Sequence, residues 1–86
     1  MESWSVDKEG FLYKVFILKS YQKKLSFVNE IAHLSEKINH HPKIIFDYNY
    51  VSIFLLTHEK GTITEKDKNL SMLIDKIYSL YLNEDK

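Results

Sequence analysis

The chain has 86 residues, with twelve basic and twelve acidic side chains, four His, two Gly and no Cys. This length supports one domain over residues 1–86 and no more, and zero Cys excludes disulfides, thiolate nucleophiles and Cys-ligated metal centres. All twelve basic residues are Lys and the net charge is zero, so the basic footprint and the guanidinium fork that suit nucleic acid are absent. A hydrophobic content of 44% and an aromatic content of 14% exclude a disordered chain. Met1–Trp4 carries charge early and leads into no apolar run of signal length, which reads as a cytoplasmic chain. No stretch approaches the ~20 apolar residues of a membrane span.

Trp4–Val6 alternates and then meets Asp7–Gly10, a turn with Gly at its end. Phe11–Leu18 reads as a strand, with Phe11, Tyr13, Val15 and Ile17 on one face and Leu12, Lys14, Phe16 and Leu18 on the other. Ser20 can cap a helix of about twenty residues. Phe27, Ile31, Leu34 and Ile38 form one apolar stripe on it, and Tyr21, Leu25, Val28 and Ala32 an adjoining one. Lys23, Lys24 and Lys37 fall mostly elsewhere, on a solvated face. Pro42 disfavours helical geometry at His41, so the helix should stop near Asn39–His40.

Ile44–Phe46 resumes as a strand, and Asp47–Tyr50 holds a turn in which Asn49 best tolerates positive φ. Val51–His58 returns. Gly61 breaks the pattern, and Thr64 with Asp67 makes a variant capping box for a second helix. Leu70, Leu73, Ile74, Ile77, Leu80 and Tyr81 give that helix its apolar face, and the polar tail from Asn83 should fray. The sum is an α+β fold: a four-stranded antiparallel sheet with both helices on one face, in the order β-β-α-β-β-α. Apolar residues on both faces of two strands predict a homo-oligomer that covers the open side.

Three of the four His stand at element ends, where a scaffold presents side chains instead of packing them. These are His40, His41 and His58; His33 reads as a solvent-facing residue of the first helix. Imidazole exchanges protons near neutrality. Glu36 lies one helical turn before His40 and can fix its tautomer. Asp67, at the start of the second helix, is a second carboxylate near the cluster. Metal binding is disfavoured, because His58-Glu59 lacks the second His of a helical His-Glu-x-x-His motif. The two Gly are too far apart for a phosphate loop, and no Gly-x-Ser-x-Gly elbow exists.

Glu36-Lys37-Ile38-Asn39-His40-His41-Pro42, then five residues to Tyr48, nine to His58 and eight to Asp67, resembles the signature of the pterin-4a-carbinolamine dehydratases. Phe27–Ala32, Leu56–Glu59 and Thr64–Asp67 add to the likeness, which runs from about Trp4 to Leu80. The resemblance implies dehydration of 4a-hydroxytetrahydropterin to quinonoid dihydropterin, in recycling of the pterin cofactor of aromatic amino acid hydroxylases. It also implies a dimer or tetramer, and neither a metal nor an organic cofactor. It carries the acid–base work to His40 and His58, with His41 orienting the pterin or assisting as an acid. Glu36 would orient His40 or bind the pterin, and Asp67 would support the His58 side. Asn39, His40 and His41, with Leu56, Thr57, His58 and Glu59, match the family's substrate contacts. Asn39, Ile44 and Leu56 depart from the residues usual in the family, an Asp, an aromatic and a Ser. The alternatives are a non-catalytic protein-interaction module of the same fold, or action on a different, molybdopterin-related pterin.

Overall fold

The computed structural model describes residues 3–84. Six elements follow in the expected order: β1 (Ser5–Val6), β2 (Leu12–Phe16), α1 (Tyr21–Ile38), β3 (Lys43–Phe46), β4 (Val51–Leu55) and α2 (Glu65–Glu84). The strands form one antiparallel sheet in the order β1-β2-β4-β3. Strands β2 and β3 therefore flank β4 and run parallel to each other, joined by α1 in a split β-α-β unit.

The turns form where the local chemistry demands them. After β1, the Asp7 carboxylate accepts the N–H groups of Glu9 and Phe11, both at 2.9 Å. Gly10 takes φ +94°, which a side chain would resist. Ser20 caps α1 by accepting the Lys23 N–H at 3.0 Å. In the turn after β3, the Asp47 carboxylate accepts the Tyr48 N–H at 2.7 Å, and the Asp47 N–H donates to the Tyr50 carbonyl at 2.8 Å. Contrary to expectation, Asn49 does not adopt positive φ. The left-handed Asn is Asn39, at φ 57° and ψ 45°, where α1 must stop and the chain reverse.

The core lies between the sheet and the helices. Phe16, Val51, Ile53 and Leu55 point from β2 and β4 onto Phe27 and Ile31 of α1 and Leu70, Ile74 and Tyr81 of α2, all buried. Phe16 centres an aromatic cluster with Phe27 at 5.1 Å, Tyr78 at 4.9 Å and Trp4 at 5.7 Å between ring centroids. Each helix buries a narrower stripe than its pattern suggests. Tyr21, Leu25 and Ile38 on α1, and Leu73 and Leu80 on α2, are exposed, because a sheet this small cannot cover a wide helical face. On the opposite side of the sheet, Val15 and Ile45 are exposed and Tyr13 stacks on Phe54 at 5.7 Å. Helix α2 runs through Asn83 and Glu84, the first two residues of the tail expected to fray, and the last two lie outside the described residues. Neither helix is long and apolar enough to cross a membrane, among the described residues.

Two lysines correct the reading of a wholly solvated lysine surface: Lys14 and Lys24 are buried. Lys14 sits on the core-facing side of β2 and pairs with Asp75 of α2 at 2.8 Å; the same carboxylate accepts the Trp4 indole N–H at 3.1 Å. Removing one partner strands a buried charge. Asp75→Ala should therefore lower unfolding free energy by about 2–3 kcal/mol, less than a fully enclosed pair would cost since Asp75 is partly exposed; urea denaturation followed by Trp4 fluorescence measures the loss.

Candidate active site

The site arises where α1 stops, β4 ends and α2 begins. The Ser35 carbonyl accepts the N–H groups of both Asn39 and His40, the latter at 3.1 Å, so the left-handed turn at Asn39 closes the helix. The reversed chain passes through His41 and Pro42 into β3. At the far end of the hairpin, β4 leads into Leu56 and then a short loop. Gly61, at φ +68°, turns that loop back, its N–H donating to the Thr57 carbonyl at 2.9 Å. Strand register pairs Lys43 with Phe54. The residues just outside the ladder, His41 and Leu56, therefore face each other across the open end of one hairpin.

Asn39, His40, His41, Leu56, His58 and Glu59 line one cleft of about 180 Å³. The three expected histidines are thus brought together. Thr57 belongs to the same segment, but its side chain is buried behind the cleft. His58 is exposed, its ring edge-on to Phe11 at 6.3 Å, and neither ring nitrogen has a hydrogen-bond partner among the described residues. Tyr48, the remaining signature residue, stands at the opposite end of β3 and contributes nothing to this cleft.

The two carboxylates are paired differently from the expectation. Asp67 binds His40, with Oδ1 2.6 Å from Nε2, and not His58. Glu36 binds His41, with Oε2 2.5 Å from Nε2, and not His40. The reason is the turn at Asn39. It takes His40 off the helical spiral and turns its ring towards α2, leaving His41 as the imidazole within reach of Glu36. An ionised carboxylate only accepts, so in each pair the proton between the two groups belongs to Nε2. The Nδ1 of each ring is left without a hydrogen-bond partner among the described residues.

Asp67 is fully buried and fully satisfied. Oδ2 accepts the Thr57 hydroxyl at 2.7 Å and the Thr64 N–H at 2.9 Å, the latter being the expected capping contact of α2. Thr57 spends its only proton on Asp67, so the Thr64 hydroxyl, 2.6 Å away, donates to Thr57. Sequence reading missed this part of Thr57; a Thr seven residues before a capping Thr gives no periodic signal. Burial alone would raise the Asp67 pKa. The hydrogen bonds from His40, Thr64 and Thr57, with the His40 charge, outweigh burial and hold it below the ordinary value. The His41–Glu36 pair is exposed at both ends, with side-chain exposures of 53% and 78%, and is correspondingly weak. Among the described residues no group of three or more His, Cys, Asp or Glu side chains is arranged to hold a metal ion.

A family model described as pterin 4 alpha carbinolamine dehydratase matches residues 1–77. A relative from Herpetosiphon aurantiacus, named as a candidate pterin-4-alpha-carbinolamine dehydratase, is 41% identical over 76 residues, covering 88% of this chain and 78% of its own. A crystal structure described as a transcriptional coactivator/pterin dehydratase from Brucella melitensis is similar at TM-score 0.82 and 29% identity, over 87% of this chain and 81% of its own. A pterin dehydratase-like protein described as a RuBisCO assembly factor in the alpha-carboxysome is similar at TM-score 0.76 and 29% identity, over 90% of both chains.

The Asp67 environment makes stability depend on pH in a defined direction. The unfolded carboxylate takes up its proton first, near pH ~4, and the folded one only at lower pH. The stabilisation is full above the unfolded value and is lost as the pH falls through the folded one. Asp67→Asn should cost about 1–3 kcal/mol at pH 7 and flatten the acid limb, since a buried network loses its charged acceptor; urea titrations between about pH 2 and pH 7 compare the two proteins.

Proposed function

The chain belongs to the pterin-4a-carbinolamine dehydratase family, and from that premise we propose that it dehydrates 4a-hydroxytetrahydropterin to quinonoid dihydropterin by histidine acid–base catalysis. The observation that carries the reading is the convergence of His40, His41 and His58 on one cleft, each with at least one ring nitrogen free of hydrogen-bond partners among the described residues. The reaction needs little else. The bond from C4a to the hydroxyl oxygen breaks with its electron pair on oxygen, and the oxygen takes a proton and leaves as water. A ring nitrogen gives up a proton and its lone pair closes a carbon–nitrogen double bond. No electron is gained or lost overall, and no metal or organic cofactor is required.

Geometry suggests a division of labour. His40 is held by Asp67 through Nε2–H, which leaves the Nδ1 lone pair to accept the ring-nitrogen proton. Asp67 then faces the positive charge that appears on the imidazole. His58, with both nitrogens uncommitted among the described residues, supplies the proton to the departing hydroxyl. His41, leaning on Glu36, orients the pterin. Asp67 and Glu36 act through the two histidines as positioning residues, and Asn39, Leu56 and Glu59 complete the cleft wall. The physiological role that follows is recycling of a pterin cofactor for a hydroxylase.

A binding-module reading draws on the relative described as an assembly factor. A coupled assay of 4a-hydroxypterin dehydration against the spontaneous rate separates the two. Acceleration lost in the triple His→Ala protein supports catalysis, and no acceleration favours the module. Calorimetry with alternative pterins tests the substrate. His40→Ala and His58→Ala should each lower kcat/KM by roughly 10²- to 10⁴-fold. Glu36→Gln should cost less than about tenfold, since its contact is exposed. Wild-type rates in both alanine variants would sink the assignment. The exposed apolar side of the sheet further supports a homo-oligomer; light scattering at low micromolar concentration should report at least a dimer, and a monomer would count against it.

A further inference from the structure

The three cleft imidazoles are held in different ways. Asp67 grips His40 at 2.6 Å and Glu36 grips His41 at 2.5 Å, each through Nε2. The His58 ring has no hydrogen bond and no ion pair among the described residues. Its one ring contact there is with Phe11, at 6.3 Å between centroids and 69° between planes. An exposed side chain held by nothing exchanges freely among its rotamers, so whatever aims His58 at the cleft must work through this contact.

Phe11 is itself firmly placed. Its N–H donates to the Asp7 carboxylate at 2.9 Å and its carbonyl accepts the Asp7 N–H at 2.8 Å, so the turn after β1 clamps its backbone on both sides. Its half-buried ring packs edge-on with Phe54 at 6.2 Å, and the Lys43 ammonium stands 5.9 Å from its centroid. The β2–β4 register pairs Leu12 with Leu55. One step further along, Phe11 stands opposite Leu56 and shares a row with Leu56 and His41, two residues of the cleft. Phe11 does not itself line the cleft; it meets the cleft through His58.

We infer that Phe11 is a positioning residue for the reaction, its ring bracing the His58 imidazole towards the cleft. The chemistry favours an apolar brace at this position. A hydrogen-bonded partner would occupy one ring nitrogen, as Asp67 and Glu36 do on the other two histidines. A ring contact occupies neither. His58 thus stays aimed while both nitrogens remain open, one to the substrate and one to solvent. The proton that His58 gives to the leaving hydroxyl is regained from solvent, which balances the proton that His40 takes from the pterin nitrogen and releases. The inference rests on the reading of His58 as the proton donor. It adds a fourth piece of chain, the end of the β1–β2 turn, to a site otherwise built from the ends of α1 and β4 and the start of α2.

The test joins a double-mutant cycle to nuclear magnetic resonance of the His58 ring. Phe11→Ala should lower kcat by roughly three- to tenfold, the size of one aromatic contact. KM should stay within about twofold, because Phe11 does not touch the pterin. Phe11→Tyr, which keeps the ring, should return kcat to within about twofold of wild type. In a His58→Ala background the same Phe11→Ala change should cost less than about twofold, since the group it acts through is gone. If Phe11→Ala does not fold, Phe11→Val, which suits a strand but is too short to reach His58, should show the same pattern. Wild-type protein should give Overhauser contacts between the two rings, and the His58 ring should become more mobile by ¹³C relaxation in Phe11→Ala. Unchanged kcat in Phe11→Ala, no recovery in Phe11→Tyr, or an undiminished loss in the His58→Ala background would overturn the inference. A wild-type protein no faster than the spontaneous reaction would overturn the dehydratase reading instead. The ring contacts and the mobility of His58 would then decide the brace by themselves, and their absence or constancy would overturn it too.

Discussion

One carboxylate joins the three pieces of chain that make the site. Asp67 accepts from His40 at the end of α1, from Thr57 at the end of β4 and from the Thr64 backbone at the start of α2. Burying a carboxylate is unfavourable unless its lone pairs are used. The burial of Asp67 therefore rests on all three donors being in position together, and their positions rest on it. Secondary structure alone would let the helix ends drift by a residue or two. The network removes that freedom, and one group serves as helix cap, strand-end anchor and imidazole orienter.

The remaining elements hold those ends together. Phe16, Phe27 and Tyr78 form the aromatic centre that sets both helices on the sheet, and the Lys14–Asp75 pair ties β2 to α2. Polarity is distributed unevenly along α1. Its C-terminal end meets a carboxylate through His40, whereas its own first turn holds Lys23 and Lys24 and no acidic residue. The histidine cleft and the buried Asp67 thus lie at the C-terminal end of α1.

The fold class was legible because period-two strands, a helix cap at Ser20 and the capping pattern Thr64–Asp67 all pointed to the same order of elements. The three cleft histidines were legible from their places at element ends and from the spacing of the signature. The pairing of carboxylates to imidazoles was not. Spacing on a helix puts Glu36 under His40, but that holds only while the helix continues, and one left-handed residue at Asn39 reassigns both partners. The turn at Asn49 misled for a related reason. An Asn tolerates positive φ without requiring it, and only the backbone reversal after α1 imposes it. The burial of Lys24 was also hidden, since a lysine beside an apolar stripe reads as solvated until the packing of its stem is known.

The β3–β4 hairpin works as a ruler. His41 and Leu56 face each other only because the turn Asp47–Tyr50, at the far end, has a fixed length that sets which residues pair. One residue added to that turn would slide one strand along the other by about 3.3 Å and exchange its inward and outward side chains. The two sides of the cleft would then lose alignment although no cleft residue had changed. This exposed turn, which surface position alone would mark as tolerant of insertion, is therefore constrained in length by a cleft at the other end of the strands it joins.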